Sequence, residues 1–551
     1  MRGALSLLVV LLSTALGQGA TIAIPESALS PLDKGAAANT KTIQNAIDGA
    51  GDSDVVLIPA GTFPVETITV RKKTQFSLRG AAVKKTVLRR LPMRWDNNTQ
   101  GRCPGIGILF VEEMAGFELT DITFDGNAPY MQIQGPGRFH PDDTIRDGTP
   151  QFPDCEPRGT GASAVVIERS TDVNVHDAEF RDGFRWCVLI GQVKGLKFVG
   201  NQITTGRLYG NWKGHRDTLG GLLHCHQSQD GLHLVNVVDA TIQWNTIRSE
   251  DSGIAIEANP AWDWYTFPGE SAPNVGTCDV RILNNDISTN SKAQQKELIK
   301  GPGLANEWVG QGCVDIFYNE RWDLEGKVLR AGPSALIRDV AVSGNRLTQA
   351  RHGVRAGIFR NANEHDAASP AHRVQGLIIE GNIPSALAGH NRKAKGGISK
   401  ITKDTCHPNV AVRHGGVAIL VHHADDVQIR NNFISDVSGG TGVELVDVTA
   451  FRIVGNRIQD IRGTKLADQV SWDGGEGIRV WNAPSRPTYD AKGFEITGNQ
   501  IENTASYSIF ITDTGYGSCP RGGNRTSRWV PWQASPEQRA IYLRECTGVR
   551  E

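Results

Sequence analysis

The sequence is short of net charge, of membrane-length apolar runs and of metal-binding spacings. Its 58 Lys and Arg against 59 Asp and Glu leave a formal charge of −1 over 551 residues, so no global field draws it to nucleic acid or to an anionic membrane. Past residue 17 no apolar run reaches the roughly 20 residues that cross a bilayer. His and Cys nowhere take the spacing of a zinc site, and Leu420-Val421-His422-His423 reads as strand and turn. Neither nucleic acid nor membrane is the expected partner, no cofactor is expected, and a monomer is expected.

What is present is glycine and short apolar segments. Sixty-two glycines and 39% hydrophobic residues fit a strand-rich, corner-rich chain. Arg2, the apolar run Leu5 to Leu12 and Ala15-Leu16-Gly17 have the form of a secretory signal, giving expected segments 1–17 (signal peptide), 18–515 (main domain) and 516–551 (C-terminal tail and cap) and a secreted product. Nine cysteines in an exported chain lead us to expect disulfides with at least one thiol left over. Loop logic pairs Cys103 with Cys155, Cys278 with Cys313 and Cys519 with Cys546, and leaves Cys187 as a buried thiol. Asn97-Asn98-Thr99 and Asn524-Arg525-Thr526 are glycosylation sequons if the host is eukaryotic.

The stretch Gln229 to Asn259 states one structural unit and begins to repeat it. Asp230-Gly231-Leu232-His233-Leu234 is echoed by Asp251-Ser252-Gly253-Ile254-Ala255-Ile256, 251 − 230 = 21 residues later, so one coil of a solenoid would place the two acids side by side. A second segment, apolar residues closing on Asn-x-Ile, recurs at Asn201, Asn245, Asn285, Asn345, Asn382, Asn432, Asn456 and Asn499. The shortest interval, 456 − 432 = 24, lies in the window of repeat architectures. A corner asparagine tolerates left-handed geometry and bonds along a stack of like residues, so this position is read as structural. After each copy comes a Gly-led strand whose alternate residues, such as Leu232/Leu234, Ile254/Ile256, Val314/Ile316, Val443/Leu445 and Ile478/Val480, would stack as core.

Ahead of the repeats, Asn39 to Ala50 places Ile43, Ala46, Ile47 and Ala50 on one helical face with Asn39 or Thr40 as N-cap. Val55-Val56-Leu57-Ile58-Pro59-Ala60-Gly61-Thr62-Phe63 and Ile68-Thr69-Val70 follow as strands. This order resembles the start of pectin-lyase-like proteins. The resemblance implies an all-β fold: a right-handed, single-stranded parallel β-helix (solenoid), with an N-terminal capping helix and long loop insertions forming a groove. Insertions at 204–228, 288–312, 384–415 and 459–475, and at 260–277, 320–337 and 361–372, flank the same strand and would wall that groove. Ser535-Pro536-Glu537-Gln538 reads as the start of a C-terminal capping helix.

The outward positions of the floor strand are expected to be His233, Ala255, Asp315, Arg355, Ala418, Glu444 and Arg479. Acids one coil apart, about 4.8 Å, raise one another's proton affinity and so separate a proton donor from a base. Asp230 and Asp251 match the two aspartate elements of polygalacturonase-like glycoside hydrolases, which the chain resembles over about one coil, and the resemblance implies inverting hydrolysis. Ser252 stands where that family has a further Asp, and Arg351-His352-Gly353 is similar to its Gly-His-Gly element but lies a coil too far on. The candidate catalytic residues are Asp230, Asp251, Asp315 and Glu250, and the candidate substrate-binding residues are His233, Glu257, His352, Arg355, Trp262 and Trp264. Flat rings such as these two tryptophans stack on pyranose faces. The expected activity is hydrolysis of a polysaccharide or oligosaccharide. The alternatives are a lyase or uronate C5-epimerase, with Ca²⁺ possible on Asp230, Asp251 and Asp315, and a glycan-binding protein without catalysis.

Overall fold

The computed structural model describes residues 19–91, 94–96, 107–126, 132–134, 163–183, 186–205, 230–249, 252–259, 265–271, 274, 276–289, 312–318, 321–322, 328–329, 336–359, 373–388, 416–438, 440–462, 464–465, 472–473, 475–481, 494–512, 521–522, 525–528 and 541–543. Nearly every described residue belongs to a turn of one winding. Two large parallel sheets, of 25 and 13 strands, carry it, and three two-stranded sheets are attached. The coil at the centre shows the plan. A floor strand, Asp230–Val235, turns at Asn236-Val237 into a middle strand, Val238–Gln243. That turns at Trp244-Asn245 into a short strand, Thr246–Ser249. Floor pairs with floor, as Leu232 with Ile254, middle with middle, as Ile242 with Ile282, and short with short, as Ile247 with Ile287. The result is a single-stranded, right-handed parallel β-helix, the hand that parallel crossovers favour.

Period-two alternation in each strand sends one set of side chains into the bore. Leu232, Leu234, Ile254, Ile256, Val314, Val443, Leu445, Ile478 and Val480 are fully buried there, and Ile316 is 1% exposed. Aromatic residues stack from coil to coil as well: Phe124, Phe180 and Phe198 lie at centroid distances of 5.6 and 5.9 Å. The leading glycines answer a packing need. A Cβ on Gly231 would lie 2.7 Å from Ile247 Cγ2, and one on Gly253 would lie 2.3 Å from Ile287 Cγ2. The isoleucine that ends the coil therefore fills the space where that same coil's floor strand begins.

The asparagines form an unbroken ladder. The Asn201 backbone N–H donates to Asn245 Oδ1 at 2.8 Å, Asn245 to Asn285 Oδ1 at 2.9 Å and Asn285 to Asn345 Oδ1 at 2.8 Å. The pattern continues through Asn382, Asn432 and Asn456 to Asn499. Their structural role holds, but the left-handed backbone belongs to the residue before each. Across these eight coils that residue is Gly five times, Asn twice (Asn284, Asn431) and Trp once (Trp244), with φ between 54° and 68°.

Several expectations are corrected. The capping helix is Ala36–Gly49 with Gly35 at its N-cap and no side-chain cap. Asn39 instead spends its amide on Ser30 and on Pro64 O, which docks the helix on the first coil. Cys278 and Cys313 are free thiols. They cannot meet, since Cys313 points into the bore near Ile287 O and Thr348 O while Cys278 lies in a middle strand opposite Val238. Ala418 is in the core and Leu420 takes the outward place, because Val354 pairs with Ile419 and so sets Ala418 beside Gly353. Residues 384–388 belong to the strand Ile383–Ala388 rather than to an insertion. The signal segment, Cys103, Cys155, Cys519, Cys546, Asn97 and Asn524 of the sequons and the capping segment at Ser535 lie outside the described residues, as do 361–372, 389–415 and most of 204–228, 288–312 and 320–337.

Candidate functional site

Each coil contributes a floor strand, and the pairing fixes which outward side chains become neighbours. One outward row runs Leu189, His233, Ala255, Asp315, Arg355, Leu420, Glu444, Arg479. Asp230 begins its strand opposite Trp186. Because Leu232 pairs with Ile254, the next coil sets Ser252 beside Asp230, 22 residues on, rather than the residue 21 on. Asp251, Glu250, Trp262 and Trp264 lie outside the described residues.

Six of the predicted site residues are described, and five of them share one cluster. His233 is fully buried, its Nδ1 2.7 Å from Asp230 Oδ2 and its Nε2 2.6 Å from Glu257 Oε2. The Trp186 ring lies 4.6 Å away at 32° and Phe317 6.0 Å away at 70°. Glu257 Oε1 accepts from Asn259 Nδ2 at 2.5 Å, and the Glu257 carbonyl accepts from Thr277 Oγ1 at 2.8 Å. Burial acts against the charged imidazole. The hydrogen bonds to Asp230 and Glu257 and the two negative charges act for it, and the net effect raises the His233 pKa. The imidazole fills the space between the two carboxylates, so no sugar or water fits between Asp230 and Glu257.

Ser252 joins this group to the next. Its backbone N–H donates to Asp230 Oδ1 at 3.1 Å and its Oγ donates to Asp315 Oδ2 at 2.5 Å. Asp315 Oδ1 accepts from Arg355 Nε at 2.8 Å. The Asp315 side chain is fully buried, whereas 12% of the Arg355 side chain is exposed. Gly312 makes room for that carboxylate, since a Cβ there would stand 2.4 Å from Asp315 Oδ1. Asp230 and Asp315 are two coils apart, about 10 Å between strands, and both carboxyls lean toward Ser252. His352 is the sixth predicted residue and is apart from the cluster. It is buried, with Nδ1 3.3 Å from Val417 O and 3.2 Å from Val417 N.

Sequence reasoning missed Ser252 as a bridge, Trp186 and Phe317 as walls, and a second carboxyl pair further along. Three coils beyond Asp315 on the same row is Glu444, 3.9 Å from Arg479. Glu476 lies one coil on, its Oε2 accepting from Thr441 Oγ1 at 3.1 Å. Burial, and secondarily Glu444, push its carboxyl above the ordinary range. The signal for Ser252 was its place one residue after Asp251, visible only once the register was known. Among the described residues no group of three or more His, Cys, Asp or Glu side chains is arranged to hold a metal ion. No described helix is long and apolar enough to cross a membrane.

No protein-family model matches the chain, and no curated protein matches it. Solved structures are similar in winding. The A-module of mannuronan C-5 epimerase AlgE4 from Azotobacter vinelandii is 15% identical, covering 94% of this chain and 98% of its own, with a TM-score of 0.44. The tailspike gp61 of Pseudomonas phage phi297 is 7% identical over 92% of this chain and 75% of its own, with a TM-score of 0.44. An exopolygalacturonase from Thermotoga maritima is 12% identical over 84% and 83%, with a TM-score of 0.37. In its three ladders, its asparagine stack and its capping helix, the chain has a right-handed parallel β-helix fold.

Proposed function

We propose that the protein is an exported carbohydrate-active enzyme that hydrolyses a polysaccharide lying across the floor ladder, with Asp230 and Asp315 as its carboxyl pair. The observation that carries this reading is Ser252, to which both carboxyls bond from opposite sides. Two coils less the lean of two side chains falls near the roughly 6.5–9.5 Å that leaves room for a water in inverting hydrolysis. His233, bonded to Asp230 and backed by Glu257, is a proton store. Asp230 takes a proton along the 2.7 Å bond from the imidazolium and delivers it to the glycosidic oxygen as that oxygen leaves. Asp315, oriented by Arg355 and Ser252, takes a proton from water as that water attacks the anomeric carbon. Solvent then removes the proton from Asp315 and restores that of His233. His233 lies between Asp230 and Glu257, so both act through Asp230 rather than on the sugar.

A second reading, elimination or C5-epimerisation of a uronate, is favoured by Arg355, the partly exposed cation beside the pair, which suits a sugar carboxylate. Product chemistry separates the two. Incubation with a panel of neutral and uronate polysaccharides is expected to give new reducing ends without unsaturated ends. Asp230→Asn and Asp315→Asn, each still folded by circular dichroism at the assay temperature, are expected to lose at least about 100-fold in rate. Full activity in both variants would sink the assignment. Unsaturated ends, abolished by Arg355→Ala, would replace it with the second reading.

A further inference from the structure

Trp244 stands alone in its column. At the corner between middle and short ladders seven of the eight coils of the asparagine ladder place Gly or Asn in left-handed backbone, and the two coils before them place Asp121 and Asp177 there, residues that adopt it at less cost than a bulky side chain. This coil places tryptophan there, at φ 57°. A bulky side chain in that conformation is an outlier and points to a purpose other than folding. Its ring is not used in packing either: Trp244 is 61% exposed, the most among the exposed large apolar residues described. Beside it the short ladder presents Gln202 paired with Thr246, both exposed, and then Arg248 bonded to Asp286 at 2.6 Å. A flat apolar surface edged by amide, hydroxyl and charged groups matches the chemistry of a pyranose, whose C–H face is apolar and whose rim is hydroxyl.

We propose that Trp244 is a stacking platform for a pyranose ring of a polysaccharide strand, a second glycan-binding site on the outer corner of the coil, separate from the floor ladder. The proposal takes its ligand class from the function proposed above. The site itself performs no chemistry. Its effect is to hold a long chain that is cut elsewhere on the molecule, raising the polymer's local concentration.

The test is Trp244→Asn, the residue that Asn284 and Asn431 place at the same corner. Because the substitution relieves backbone strain, the variant is expected to melt higher than the wild type, so loss of binding cannot be ascribed to unfolding. Native gels cast with alginate, polygalacturonan, xylan or β-1,3-glucan report binding by retardation, and do so whether or not the protein cleaves anything. We expect the wild type to be retarded by at least one of these polymers and the variant to bind it roughly three- to tenfold more weakly. Turnover of a short oligosaccharide should be unchanged. Equal retardation of variant and wild type, or retardation of neither in any gel, overturns the platform. Retardation lost in the variant while no polymer is cleaved by either supports the platform and overturns the hydrolase.

Discussion

His233 is the residue on which most else at the site depends. It is a buried cation between two buried anions, and such a group is worth more to the fold than its two hydrogen bonds suggest, because removing it leaves two buried carboxylates without the positive charge between them. His233→Gln is expected to cost about 3–5 kcal/mol in urea unfolding. The pH dependence has a definite sign. The folded-state pKa is raised above the usual 6.5, so the stabilisation is complete below about 6.5 and is lost as pH climbs through the raised value. Wild-type stability measured across that interval should fall more steeply than that of the glutamine variant. Glu476 follows the same rule for an acid. Its folded pKa is raised, so folding is favoured at low pH and burying the ionised form is costly above it. Glu476→Gln, isosteric and uncharged, is expected to raise Tm at neutral pH relative to wild type and to lose that advantage in acid. If Glu476 rather than Asp230 donates the catalytic proton, the same variant will be inactive.

At the scale of the element, the floor strand is a compromise between a crowded start and an outward row of chemistry. The glycine that opens it has no space for a methyl group: a Cβ on Gly253 would lie 2.3 Å from Ile287 Cγ2 and 2.5 Å from Cys313 O. Gly253→Ala is therefore expected to cost about 1–3 kcal/mol through overpacking, read as a lower Tm. The alternation and the opening glycines were readable in sequence, and so was the stacked core of Leu232, Leu234, Ile254 and Ile256. The register at the site was misread. Asp230 and Asp251 looked like equivalents because each precedes a glycine-led apolar run, but they are 21 residues apart, whereas the opening glycines Gly231 and Gly253 are 22 apart. Hydrogen bonding follows the glycines and sets Ser252 beside Asp230. Ala418 failed for a related reason: Gly416 resembles the opening glycine of other coils, but the pairing of His352 with Val417 sets Ala418, two residues later, opposite Gly353.

For the whole molecule, stability is that of a one-dimensional array in which each coil rests on its neighbours. The asparagine ladder ties the coils together at one corner, with Asn345 receiving the Asn285 N–H and donating to Ile282 O at 2.9 Å. Asn345→Ala leaves a buried N–H without its acceptor, and is expected to cost about 2–4 kcal/mol. Because the loss falls at one boundary, urea unfolding followed by fluorescence should separate into two transitions where the wild type shows one.

The sequence by itself determined the winding. Recurrence of Asn-x-Ile, a glycine at each floor strand and period-two apolar residues permit little but a coil whose turns stack, since no single coil can bury enough surface to hold its own shape. It determined the outward placing of His233, Asp315 and Arg355 for the same reason, as odd positions in strands whose even positions must be core. What only the tertiary structure decided is which of these side chains touch. That Ser252 bridges Asp230 to Asp315, that His233 is sealed between Asp230 and Glu257, and that Trp244 is left bare on a corner built for glycine all follow from contacts between coils. Insertions of unequal length separate most of those coils in sequence, and no local pattern of residues records which side chains meet across them.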